Sequence, residues 1–230
     1  MLTVIADENI AQLDAYFAPH TSVRLIKMAG RDIINALHTH QPDALLIRSV
    51  TPINEQTLAR TTTVRFIGSA TLGIDHVDTH YLHQRGINFA NAIGSSKHSV
   101  AQYVITAIAH LRPFVWHTPI CLGIIGLGHI GSTLARYAKE LGWQVLGYDP
   151  FLPSSALNNA SLPTLLSQSD VVSLHTPLST TGAHPTYQLI NAERLDLLRP
   201  DTLLINAARG QVVDETALLA NIARTKRQVV

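Results

Sequence analysis

Cys121-Leu122-Gly123-Ile124-Ile125-Gly126-Leu127-Gly128-His129-Ile130-Gly131 opens the stretch whose reading decides the fold. An aliphatic run of the buried-strand kind passes straight into a Gly-X-Gly-X-X-Gly turn, and Ser132 to Leu141 reads as the following helix, stopped at Gly142. The three glycines of such a turn do different work. Gly126 permits the tight bend, Gly128 lets the backbone approach a pyrophosphate without a Cβ clash, and Gly131 brings the helix against the strand. The helix amides then face the phosphates. The next strand, Gln144 to Tyr148, delivers Asp149 eighteen residues beyond Gly131, near the spacing of roughly 20 at which an acid holds the adenosine ribose. A carboxylate there accepts from a 2′-hydroxyl and repels a 2′-phosphate, and no arginine stands beside it, which favours NAD. FAD and S-adenosylmethionine stay open on the glycines alone. Strand, turn, helix, strand and acid in this order argue for a nucleotide site rather than chance.

Outward from this unit, short aliphatic runs alternate with helix-length segments: Leu2 to Ala6, Ala44 to Val50 and Val64 to Ile67, then Leu122 to Ile125, Gln144 to Tyr148, Val171 to Leu174 and Leu203 to Asn206. Such alternation predicts parallel sheets covered by helices. Ser99 to Leu111 carries Val100, Tyr103, Val104, Ala107, Ile108 and Leu111 at helical spacing, and the stretch Pro113 to Pro119 that follows has two prolines and no period. A domain junction is therefore expected in or just before this helix. Two α/β domains result: residues 1–98, and a nucleotide-binding domain over residues 99–230.

Composition narrows the classes. With 230 residues, 46% hydrophobic and 14% charged, the chain can bury a sizeable core. Seventeen basic and sixteen acidic side chains are scattered along it, so no field suits nucleic acid or an anionic membrane, and a small molecule is the expected partner. Cys121 is the one cysteine. It sits in an apolar run and reads as a buried thiol in a reducing cytoplasm. No apolar stretch is long enough to span a bilayer, and the first residues lack the layout of a signal peptide.

Ligands of open parallel sheets sit beyond the carboxyl ends of strands. Val171 to Leu174 is followed by His175-Thr176-Pro177, and Leu203 to Asn206 by Ala207-Ala208-Arg209-Gly210. Arg209 is a permanent cation able to hold a carboxylate in bidentate fashion, with small neighbours leaving space beside it; a surface salt bridge is the bland alternative. In the first domain, Arg48-Ser49-Val50-Thr51 and Gly68-Ser69-Ala70-Thr71-Leu72-Gly73 could cradle an anion, or could be ordinary turns.

These segments, with Asp7-Glu8-Asn9, Phe66-Ile67 and Asp75-His76-Val77-Asp78, make the whole chain similar to the D-2-hydroxyacid dehydrogenase family. The Arg48 and Phe66 segments, with Gly182 to Leu189, resemble a branch acting on a phosphorylated four-carbon 2-hydroxy acid. The resemblance implies a Rossmann-type NAD domain, incomplete at its C-terminus, beside a smaller flavodoxin-like substrate domain. It also implies NAD-dependent oxidation at C2 of the substrate, no metal, and a cytoplasmic homodimer when full length. By the same resemblance Ser49 and Thr71 match substrate contacts. Gly126, Gly128, His129, Ile130, Gly131, Asp149, Thr176, Ala207, Ala208 and Arg209 match cofactor contacts, and Arg209 matches the catalytic arginine. The family's proton acceptor is a histidine held by a glutamate after the next strand. None of the 12 histidines occupies that place. The chain is therefore expected to be C-terminally truncated, and this stretch by itself to be inactive. A non-catalytic NAD-binding protein and a dehydrogenase of another 2-hydroxy acid are the alternatives.

Overall fold

The computed structural model describes residues 1–59, 61–112, 120–153, 158–225 and 227–230. They form two compact units, Met1–Ser95 and Ser96–Val230. The proline-bearing stretch that follows the helix expected at the junction, residues 113–119, lies outside the described residues.

In the first unit β1 (Leu2–Asp7), β2 (Val23–Met28), β3 (Ala44–Ile47), β4 (Phe66–Ser69) and β5 (Asn88–Asn91) pair in parallel, in the order β2-β1-β3-β4-β5. This is the flavodoxin-like order. Helices α1 (Leu13–Phe17), α2 (Ile33–His40), α3 (Glu55–Leu58) and α4 (Thr79–Gln84) connect the strands. Ile5, Leu45, Ile47 and Ile67 from the central strands close over Ile33 and Leu37 of α2 and Leu58 of α3, and all are buried. Central strands sandwiched between helices read as continuous apolar runs. The edge strands do not, and the sequence reading missed both. β2 turns Arg24 and Lys27 to solvent and β5 does the same with Asn88, as edges open on one side permit. Two boundaries also shift. The first run ends at Ile47 because Thr51 N–H bonds back to the Arg48 carbonyl (3.1 Å), closing a turn, and β4 begins at Phe66 rather than Val64.

In the second unit α5 (Lys97–Leu111) precedes β6 (Cys121–Ile125), α6 (His129–Glu140), β7 (Gln144–Tyr148), α7 (Leu162–Gln168), β8 (Val171–Leu174), α8 (Ala192–Asp196), β9 (Leu203–Asn206) and α9 (Glu215–Thr225). The strands are parallel in the order β7-β6-β8-β9. They fall on the four expected runs. Alternate residues of each strand face opposite layers. Leu122 and Ile124 pack with Val104 and Ile108 of α5 and Leu134 of α6, while Ile125 packs with Leu165 of α7 and Leu195 of α8. Every residue of β8 is buried, as a central parallel strand requires. One-residue parallel bridges continue this sheet at both edges, Asn159 beside Gly147 of β7 and Val229 beside Leu204 of β9. Arg227 steadies the second bridge from a buried position, donating to the carbonyls of Arg199 (2.7 Å) and Thr202 (3.1 Å) and to Asn221 Oδ1 (3.1 Å). Among the described residues no helix is long and apolar enough to cross a membrane.

Candidate functional site

The exit of β6 is built from what its glycines lack. A Cβ on Gly131 would lie 1.9 Å from the Gly126 carbonyl oxygen, so α6 can pack this closely on the turn only with glycine there. Gly126 has φ +91°, and a Cβ on it would stand 2.9 Å from the His175 carbonyl oxygen. Gly128 differs from both. Nothing lies within 4 Å of where its Cβ would be, leaving open space over the backbone. Gly128 is also the N-cap of α6, whose first turn receives no side-chain cap. Ser132 and Thr133 turn their hydroxyls back to the carbonyls of Gly128 (2.7 Å) and His129 (2.8 Å) instead. An open approach, uncapped helix amides and the positive end of a helix dipole together suit a pyrophosphate, with exposed His129 and half-buried Ile130 in the first helical turn beside it.

Asp149 leaves β7 next to this turn. Its Oδ2 accepts from the Leu127 amide (3.0 Å) and its Oδ1 from the Phe151 amide (3.1 Å), so the carboxylate sits against the glycine loop at half burial. Each oxygen keeps capacity for a further donor, as a ribose hydroxyl would supply. At the exit of β8, His175 Nε2 shares a hydrogen bond with Ser173 Oγ (2.9 Å), whereas its buried Nδ1 and the Thr176 hydroxyl have no protein partner. Burial pushes the His175 pKa down to about 4, so its ring is neutral near pH 7 and is a poor proton acceptor there. Orphaned polar atoms beside a glycine loop fit a site whose ligand supplies the missing hydrogen bonds.

Beyond β9 the chain turns through Ala207 and Ala208 to Arg209. Asn206 fixes that turn, accepting from the Ala208 amide (3.1 Å) and donating to the Arg209 carbonyl (2.9 Å). The Arg209 side chain is exposed and donates to the Ala208 carbonyl (3.0 Å), and a guanidinium is the group suited to holding a carboxylate in bidentate fashion. The exits of β6, β7, β8 and β9 thus bring the expected cofactor residues and Arg209 to one end of one sheet.

In the first unit Ile47 pairs with Ser69 in register, so Ser49 and Thr71 follow neighbouring strand ends by two residues each. Ser49 is exposed. The Thr71 hydroxyl donates to the Gly73 carbonyl (3.1 Å) and shares a 2.8 Å bond with Ser69 Oγ. The sequence reading missed two supports here. Buried Thr51 donates to the Gly30 carbonyl (2.8 Å), and buried Asp7 accepts from the backbone and side-chain nitrogens of Asn9 (2.9 and 3.1 Å). Asp7-Glu8-Asn9 carried the signal, since an Asx residue at a strand exit binds the backbone two residues on.

Residues 117–229 match the family described as D-isomer specific 2-hydroxyacid dehydrogenase, NAD binding domain. The chain is 54% identical over 257 aligned positions to an erythronate-4-phosphate dehydrogenase of Psychrobacter cryohalolentis, a match covering 100% of this chain and 67% of that relative. Among solved structures it resembles D-lactate dehydrogenase from Aquifex aeolicus complexed with NAD and lactic acid (TM-score 0.78, 25% identity, 98% of this chain and 74% of that one). It shares its fold with NAD-bound 3-phosphoglycerate dehydrogenase of Entamoeba histolytica (TM-score 0.82, 21% identity, 100% and 78%). The open glycine turn with its neighbouring acid, the arginine beyond β9 and these likenesses agree: the chain belongs to the NAD-dependent D-isomer-specific 2-hydroxyacid dehydrogenases, in the branch of the erythronate-4-phosphate dehydrogenases.

Proposed function

We propose that the protein oxidises 4-phospho-D-erythronate at C2 to (R)-3-hydroxy-2-oxo-4-phosphooxybutanoate, with NAD as hydride acceptor, on the route to pyridoxal 5′-phosphate. The observation that carries this reading is the 54% identity to an erythronate-4-phosphate dehydrogenase over the whole chain, beside the arginine, Arg209, that follows β9. Residues 1–98 serve as the substrate domain and residues 99–230 as the NAD domain. In the cofactor site the α6 amides and the backbone at Gly126, Gly128 and Gly131 hold the pyrophosphate, with His129 and Ile130 beside it. Asp149 takes the adenosine ribose, and Thr176, Ala207, Ala208 and Arg209 complete the contacts. Bound NAD supplies the acceptor for the C2 hydride. Arg209 binds the substrate carboxylate and stabilises negative charge as it grows on the C2 oxygen. Ser49 and Thr71 contact the substrate, and the hydroxyl proton passes to the histidine, held by a glutamate, that the family resemblance implies. The working form is a cytoplasmic homodimer.

The test is NADH formation by the protein with 4-phospho-D-erythronate, D-glycerate and D-lactate offered separately. A kcat/KM for the phosphorylated acid at least tenfold above both others supports the reading. Equal or greater turnover of an unphosphorylated acid overturns the substrate assignment and leaves the family intact. Arg209→Lys, which loses the bidentate fork, should lower kcat/KM by roughly a hundredfold while NAD affinity changes less.

A further inference from the structure

We infer that Asn159 is a positioning residue that sets the cofactor preference by fixing the Asp149 carboxylate, an inference resting on the proposed role of Asp149 at the adenosine ribose. β7 lies at the edge of its sheet among the named strands, with β6 on one side. On its other side Asn159 does the work of a further strand. Its backbone forms the one-residue bridge to Gly147, and the next amide, Ala160 N–H, donates to the Gly147 carbonyl (2.7 Å). Its side-chain amide then pairs both ways with the Asp149 peptide: Oδ1 accepts the Asp149 N–H (2.8 Å), and Nδ2 donates to the Asp149 carbonyl (2.9 Å). The same Nδ2 donates to the Leu152 carbonyl (2.9 Å).

Two hydrogen bonds from one side chain therefore hold the backbone from which the carboxylate projects, and a third ties down Leu152 three residues on. That carboxylate has little tolerance. It must reach the Leu127 amide at the glycine loop while presenting its remaining lone pairs to a ribose hydroxyl, and an ångström of drift would forfeit the second task. Asn158 is a built-in comparison. It takes the left-handed conformation of the turn (φ 54°), and its side chain donates to the Val145 carbonyl (3.1 Å) rather than to Asp149.

The test is titration of the protein with NAD and with 2′-deoxyadenosine-containing NAD, the ratio of the two affinities reporting recognition of the 2′-hydroxyl. The wild-type ratio should be about tenfold, the scale of one hydrogen bond to a charged acceptor. Asp149→Ala should bring it to about one. Asn159→Ala should bring it down to roughly two or three, and adding Asn159→Ala to Asp149→Ala should cause no further change in the ratio. Asn158→Gly should keep the wild-type ratio. Should Asn159→Ala fail to fold, Asn159→Asp reads the same ratio, since it keeps the acceptor but loses both donors. A wild-type ratio in a folded Asn159 variant, with both cofactors weakened equally or neither, overturns the inference while Asp149 stands. A wild-type ratio in Asp149→Ala overturns the ribose assignment, and this inference falls with it.

Discussion

β1 and β6 are the first strands of two parallel sheets that share the order second-first-third-fourth, yet their exits are built oppositely. β1 ends in Asp7, whose buried carboxylate folds onto its own loop and takes both nitrogens that Asn9 offers. β6 passes into Gly126, and the carboxylate at its loop comes from the exit of the neighbouring strand, Asp149 just beyond β7 reaching the Leu127 amide. The first arrangement closes its turn with its own side chain. The second leaves open space above Gly128 and the uncapped start of α6 facing it. One topology thus gives a filled turn or a phosphate cradle, according to which strand supplies the acid and whether a Cβ stands in the way.

The glycines of the second exit give the sharpest way to break this contrast. Gly131→Ala places a Cβ 1.9 Å from a backbone oxygen that cannot move without the turn. It should destabilise the second unit by about 3 kcal/mol and abolish NAD binding, read by thermal unfolding and calorimetric titration. Gly128→Ala meets nothing within 4 Å. It should cost at most about 1 kcal/mol of stability, as for loss of a glycine N-cap, yet weaken NAD by tenfold or more. Equal loss of stability in the two variants would break the division between a packing glycine and an approach glycine.

A pH-dependent effect follows from His175, half-buried with its Nδ1 enclosed at the exit of β8. Its folded pKa of about 4 lies below the ordinary value of 6.5. Between those values the unfolded chain binds the extra proton, so stability is fully present above about pH 6.5 and is lost as pH falls toward 4. The loss should approach about 3 kcal/mol at most, measured as denaturation midpoints across that range. His175→Gln should flatten the profile in the same window, and a profile unchanged by that substitution would contradict the assignment.

The smallest effect belongs to the first unit. Thr51→Val removes the bond to the Gly30 carbonyl and should cost about 1 kcal/mol with NAD affinity unchanged. A fall in NAD affinity would blur the separation of tasks between the two exits.

What the sequence made legible follows the same contrast. The glycine turn, Asp149, and β6 to β9 could be read because buried parallel strands are continuous apolar runs and because each glycine answers a steric demand. β2 and β5 escaped because an edge strand shares its pattern with a polar loop: Arg24, Lys27 and Asn88 interrupt the apolar residues that would announce them. Asn159, Asn206 and Thr51 escaped for another reason. Each acts through hydrogen bonds from a side chain to backbone groups, and no period in the sequence records which backbone group folding will bring near. For Asn159 the sequence offered an Asn-Asn pair and nothing to show that the second amide faces Asp149.

The measurement that bears most directly on the central claim is the pair of affinities of the unaltered protein for NAD and NADP, taken by calorimetry at one ionic strength. A carboxylate anchored at the glycine loop should favour NAD by at least about tenfold, since a 2′-phosphate would face Asp149 in place of a hydroxyl that donates to it. Equal or tighter binding of NADP, or no binding of either, would contradict the account of this exit as a site for NAD.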